Sequence, residues 1–261
     1  MRIRILFLFT IFSVLSFAQE KVQDSITRKK ITAVKLEKAP KIDGNLDDDA
    51  WKNIPIAKDF IEFRPNNGKA EDADFKSEVK IAYDDIGIYV SAMLYDKEPS
   101  KISKELTERD NIGNDDFFVL FLNGYNDKQQ SLELFVTAAG VQADSKITNE
   151  NGEDFSWNGI WYSAAKIVEN GWTVEMKIPF SELRFPKSEV QNWGLNFFRQ
   201  INRTKTAYTW NYINNQKGGF LLYDGVLENI KNIDPPIRLS FMPYFSTYVN
   251  NYDGQTTTNF N

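Results

Sequence analysis

Apolar and polar positions alternate with period two over most of this chain. That period belongs to β-strands, whose successive side chains point to opposite faces. Ile88, Val90, Ala92 and Leu94 alternate with Tyr89, Ser91, Met93 and Tyr95. Trp172, Val174, Met176 and Ile178 alternate with Thr173, Glu175 and Lys177. Residues 117–122 are apolar on both faces, the pattern of a central strand buried from two sides. Further strands are predicted near 31–36, 78–83, 131–137, 142–147, 162–168, 193–202, 208–213 and 220–227. Turn residues separate them at Asp84-Asp85, Asn123-Gly124 and Asn170-Gly171. Only 47–53 and 180–183 read as helical turns. About ten antiparallel strands at this spacing imply an all-β fold, a jelly-roll-like β-sandwich over residues 31–232.

Both ends depart from that pattern. Arg2 and Arg4, the apolar run 5–17 and the small residues at Ser16 and Ala18 make 1–18 a signal peptide, with Gln19 as the new N-terminus. The run is shorter than the roughly 20 apolar residues a membrane-spanning helix needs. Residues 19–30 are polar and read as a flexible leader. At the other end Asp234-Pro235-Pro236 breaks the chain, and 233–261 reads as a linker with an alternating strand at 237–249. That strand suits either the last strand of the sandwich or the first strand of an outer-membrane β-barrel, in which case the chain is a piece of a longer protein.

Charge and composition then narrow the chemistry. The chain carries 31 basic and 36 acidic residues, and losing Arg2 and Arg4 with the leader leaves 29 against 36, a formal charge of −7. An acidic chain without a basic stripe does not match nucleic acid, whose affinity comes mainly from phosphate neutralisation. Cysteine and histidine are both absent. Disulfides, a lipid-anchored N-terminal cysteine, Ser-His-Asp and Cys-His catalysis and the usual zinc ligand sets are thereby excluded. Asp115 and Asp116 are adjacent on a strand, so they point to opposite faces and do not form a glycosidase pair. Asp43, Asn45 and Asp47 open like an EF-hand, but Asp48 and Ile54 stand where that loop needs Gly and Glu. A looser calcium site on Asp84, Asp85 and Asp96 is the one metal the sequence leaves open; no other cofactor is implied. Trp51, Trp172 and Trp193 read as core. Trp157 and Trp161, beside a polar loop, and Trp210 and Tyr212 with Arg199 and Arg203 are the candidate ligand-binding residues. Arg199 shares parity with Phe197, so the alternative reading for it is a buried, paired arginine.

Several segments in order resemble family 9 carbohydrate-binding modules. Ile42-Asp43-Gly44-Asn45-Leu46-Asp47-Asp48-Asp49-Ala50-Trp51 is similar to that family's opening signature, and 79–96 to its Tyr-Val hairpin. Asp115-Asp116 with 118–123, the run Gly171 to Pro179, and Gly194-Leu195-Asn196-Phe197 resemble three further family strands. The whole is most similar to a subgroup that precedes an outer-membrane barrel of unknown function. The resemblance implies a β-sandwich and an ancestral sugar-binding role, in which two tryptophans clamp a ring with polar help. Here the clamp positions fall on about Gly113 and Gly218, and the polar partners on Val119 and Phe135. The expectation is a non-catalytic, exported module, periplasmic or outer-membrane associated, that binds carbohydrate. The alternatives are a docking domain that has lost sugar binding, or part of a glycoside hydrolase system in carbohydrate catabolism.

Overall fold

The computed structural model of the protein describes residues 28–236, 243–244 and 246–260, so the expected signal peptide and most of the flexible leader lie outside the described residues. The chain builds two sheets packed face to face. The nine-stranded sheet runs in the order β1 (Lys30–Thr32), β15 (Gly225–Lys231), β13 (Val190–Ile201), β7 (Phe117–Asn123), β8 (Gln130–Thr137), β9 (Gln142–Thr148) and β10 (Gly152–Asp154). Within it β14 (Thr206–Thr209) pairs with β13 and carries β4 (Ile61–Arg64). The six-stranded sheet runs β11 (Tyr162–Val168), β12 (Gly171–Pro179), β6 (Gly87–Tyr95), β5 (Ser77–Tyr83) and β2 (Val34–Lys35), with β3 (Ile56–Ala57) paired to β5.

The fold departs from an all-antiparallel sandwich at the N-terminus. β1 is parallel to β15 and β2 is parallel to β5, because the chain crosses from one sheet to the other at Ala33. The predicted strand at 220–227 starts as a 3-10 turn, Phe220–Tyr223, before β15. Residues 247–260 form a separate hairpin of β16 (Thr247–Tyr252) and β17 (Gln255–Phe260), while most of the strand expected at 237–249 falls outside the described residues.

The alternation sorts side chains into three apolar clusters. Ile88, Val90, Ala92 and Leu94 of β6 and Trp172, Val174, Met176 and Ile178 of β12 meet Phe118, Leu120, Leu134, Val136, Leu195 and Phe197 between the sheets. At roughly 25 cal/mol per Å² of apolar surface removed from water, this central cluster is the main source of stability. The other face of β7 feeds a second cluster, with Val119 and Phe121 packed beside Phe135, Ala143 and Phe198 on the outer side of the nine-stranded sheet. The third covers the outer side of the six-stranded sheet, where Trp51, Ile54 and Leu36 pack on Ala82 and Tyr89. Trp51 thus seals a sheet face. Its indole Nε1 donates to Glu175 Oε1 at 2.9 Å, and the backbone N–H groups of Asp43 and Gly44 donate to Glu175 Oε2 at 3.0 and 2.9 Å. Two distant motifs of the sequence are therefore one hydrogen-bonded unit, and Gly44 supplies the left-handed φ of 82° that lets the loop present both N–H groups.

Candidate functional site

Three surfaces bear on ligand binding: the outer face of the nine-stranded sheet, where the resemblance places the clamp, a pocket at one end of the sandwich, and a groove along its open side. On the outer face, Val119 and Phe135 sit opposite one another across β7 and β8. Ile112, next to Gly113, and Phe220, close to Gly218, both pack against the cluster that holds them. The loops of the expected clamp and the strands of its expected polar partners thus converge on one face. That face is filled by the chain's own rings: Phe220 lies 5.0 Å from Phe121 and 6.0 Å from Phe63, and Phe155 lies 5.9 Å from Phe135. Glu133, on the same face of β8, is buried and accepts from the Ser145 hydroxyl; burial pushes its carboxyl up to about 8, against the lowering effect of that bond. A sugar has neither an open indole cleft nor a free polar partner there.

The end pocket is about 320 Å³ and lies between the β7–β8 turn, the 182–184 loop and Trp157 of the segment after β10. Trp157 forms one wall, with the Lys146 ammonium 5.7 Å from its ring centroid. Asn123, Asp127, Gln130, Glu182 and Arg184 supply polar groups, and the fully buried Trp193 lies beneath. The wall is held close by Gly124, since a Cβ there would stand 2.3 Å from the Arg184 carbonyl oxygen. Asn123 Nδ2 donates to Asp127 Oδ1 at 2.9 Å, and Asn123 Oδ1 accepts from the backbone of Tyr125 and Asn126, so the turn is preorganised. A half-buried indole beside amides and charged groups suits a pyranose, whose C–H face is apolar and whose rim is hydroxylated.

The other candidate residues are spread over the molecule. Trp161 is buried, its Nε1 donating to Asp144 Oδ2 at 2.8 Å; Arg109 and the Gly159 N–H also bind Asp144. Trp210 is buried 5.7 Å from Phe197. Tyr212 is partly exposed and meets Tyr223 edge-on at 6.4 Å. Arg199 is no surface ligand group: it is fully buried, donating to the carbonyls of Phe75, Lys76 and Tyr95 at 2.8, 3.0 and 2.7 Å. Arg203 makes a bidentate pair with Asp96 at 2.7 Å on each arm and covers Phe75. Trp157, Trp161, Trp210 and Phe220 therefore occupy four different settings and do not face one another across a cleft.

The calcium candidates separate in the same way. Asp84 closes the β5–β6 turn by accepting from the Ile86 and Gly87 N–H groups and the Tyr89 hydroxyl, Asp85 pairs with Lys35, and Asp96 holds Arg203 at the far end of β6. Among the described residues no cluster of three or more metal-ligand side chains is found. Asp115 accepts from the Ser103 hydroxyl and the Glu105 N–H, while Asp116 accepts from the Asn202 N–H, so the adjacent pair braces loops on two sides.

The sequence profile of the carbohydrate family 9 binding domain-like family matches residues 42–217. The chain belongs to that family. Among solved structures it is similar to a carbohydrate-binding module family 9 protein from Caldicellulosiruptor kristjanssonii in complex with cellotriose, at 17% identity and a TM-score of 0.54, covering 83% of this chain and 99% of that one. The same organism's module in complex with glucose matches at 17% identity and a TM-score of 0.51, over 81% of this chain and 99% of that one. A candidate carbohydrate-binding protein from Bacteroides uniformis matches at 12% identity and a TM-score of 0.62, over 80% of this chain and all 100% of its own. No curated protein sequence matches the chain significantly. These likenesses carry the fold. The end pocket brings Arg184 and Trp157, from two segments that carry the subgroup resemblance, together with Asp127 and Gln130, which none of the family-like segments contains.

Proposed function

We propose that this family 9-type domain is a non-catalytic, exported carbohydrate-binding module that takes a sugar ring in the end pocket. The observation that carries the reading is Trp157, half-buried at a pocket of about 320 Å³ that also presents amide and charged groups. Family membership supports the ligand class, as do the cellotriose and glucose held by the similar structures. The leader-like residues 1–18 and the alternating strand after Pro236 support delivery to the periplasm or outer membrane, in front of a barrel. In that setting the module serves carbohydrate breakdown by holding glycan near the cell surface.

Titration calorimetry with glucose, cellotriose and a panel of neutral oligosaccharides tests this directly. Binding of at least one of them is expected, and Trp157→Ala is expected to weaken it by about tenfold or more, the equivalent of about 1.4 kcal/mol. Undiminished binding by Trp157→Ala removes the end pocket as the site, and no binding to any member removes the sugar reading. A second reading, a docking domain, is favoured by one specific observation: Val119 and Phe135 place apolar side chains where the family's polar partners are expected.

A further inference from the structure

A groove of about 760 Å³ runs along the open side of the sandwich, between the loop at Leu106, the β8–β9 turn and the outer edge of β11. Its lining contains Arg109 and Lys177, the polar side chains of Thr107, Gln142 and Ser163, and no acidic residue. In an acidic chain that bias is local and needs a cause.

Lys177 supplies it. It lies between two cross-strand partners, Tyr162 on β11 and Tyr89 on β6. Its Nζ sits 6.0 Å from the Tyr162 ring centroid and 5.8 Å from the Tyr89 centroid. These contacts fix the ammonium without neutralising it. The nearest carboxylate on its own strand and face, Glu175, is spent on Trp51, Asp43 and Gly44. The Asp84 carboxylate beyond Tyr89 is spent on the turn and the tyrosine hydroxyl. Among the described residues Lys177 makes no ion pair with any carboxylate. Arg109 differs: Asp144 neutralises it, and Gln142, Asn158 and Gly159 take its remaining donors, so it is a rigid wall. The groove therefore presents one preorganised, half-buried cation beside an exposed aromatic face, since Tyr162 is 54% exposed.

We infer that this groove is a second binding site, for a saccharide that carries a carboxylate. The Lys177 ammonium takes the carboxylate in a charge-assisted hydrogen bond. Tyr162 takes the C–H face of a ring, and Thr107 and Ser163 face its hydroxyls. The groove is much larger than an inorganic anion requires, and its hydroxyl and amide lining fits a polyhydroxylated chain better than a bare ion. The site is separate from the end pocket and does not depend on sugar binding there.

The test is calorimetry of the full chain with tri-galacturonate, its methyl ester, free galacturonate and oligo-glutamate. Tri-galacturonate is expected to bind about tenfold tighter than the ester, with an affinity that falls as salt rises. Lys177→Gln is expected to remove that difference while Lys177→Arg keeps it, and Trp157→Ala is expected to leave it intact. Free galacturonate binding as tightly as the trimer assigns a terminal acidic sugar; a gain from monomer to trimer assigns an internal stretch of acidic polymer. Equal binding of acid and ester, no binding of either acid, oligo-glutamate binding as tightly as tri-galacturonate, or an unchanged Lys177→Gln each overturns the proposal. The comparison of acid with ester uses the native chain, so it stands even if a Lys177 variant fails to fold. Loss of neutral-sugar binding in Trp157→Ala with acid binding retained separates the two sites.

Discussion

Arg199 shows how much a single residue can mean in a sandwich of this kind. Its guanidinium is fully buried and bonded to three backbone carbonyls, which ties β13 to the ends of β5 and β6. Burial lowers it to about 10, with Asp116, Asp96 and Glu71 opposing, so it remains charged at neutral pH. Arg199→Met strips those carbonyls of their donor and takes a buried positive charge from beside Asp116 and Glu71, while Asp96 keeps Arg203. Urea unfolding is expected to show a loss of about 3–5 kcal/mol, the scale for breaking a buried charged network. Arg203→Ala removes a more exposed arm and is expected to cost less. At this scale the sequence was partly legible. Parity with Phe197 already pointed Arg199 inward, as the alternative reading held. Nothing in the sequence distinguished Trp157 at a pocket from Trp161, which the Asp144 carboxylate draws inward, because that depends on a partner on another strand.

Among the elements, β8 and the turn leading into β15 carry an electrostatic liability. Burial raises Glu133 to about 8, and burial raises Asp224 to about 8 despite the opposing charge of Arg28. A carboxyl whose folded pKa exceeds its unfolded value binds more protons in the folded state, so stability falls as pH rises between the two values. The window runs from the ordinary carboxylate range near 4 up to about 8. Chemical denaturation across that window is expected to show stability decreasing toward pH 8, at no more than about 1.4 kcal/mol per pH unit per group. Glu133→Gln is expected to flatten the slope. Long strands such as β6, β7 and β12 were readable because alternation persists through each of them. β3, β4 and β10 were not, because runs of two to four residues hold too little of the pattern. The parallel pairings of β1 and β2 leave no local mark at all, since both partners lie far along the chain.

At the scale of the whole molecule, the family fold is kept, and the face where the resemblance places the sugar clamp is filled by the chain's own rings. The Glu175 unit that joins the Asp43–Trp51 loop to β12 is intact, whereas the face expected to hold sugar is packed with phenylalanine. Motif matching reads the first and not the second, because frame residues are fixed by the backbone and ligand residues need only face outward. The proposed export makes a prediction of its own: N-terminal sequencing of the protein recovered from cells is expected to begin at Gln19, and fractionation to place it with the outer membrane. An N-terminus at Met1 and a soluble cytoplasmic fraction would contradict both.

The parallel pairing of β1 with β15 also has a mechanical side. Lys30, Ile31 and Thr32 run alongside Val226, Leu227 and Glu228 in the same direction. A pull on the chain before β1, opposed by one after β15, slides these strands lengthwise past each other. The bonds between them are then loaded together in shear, whereas an antiparallel hairpin pulled from its open end unzips one bond at a time. Against such an end-to-end pull the short first strand acts as a latch on β15.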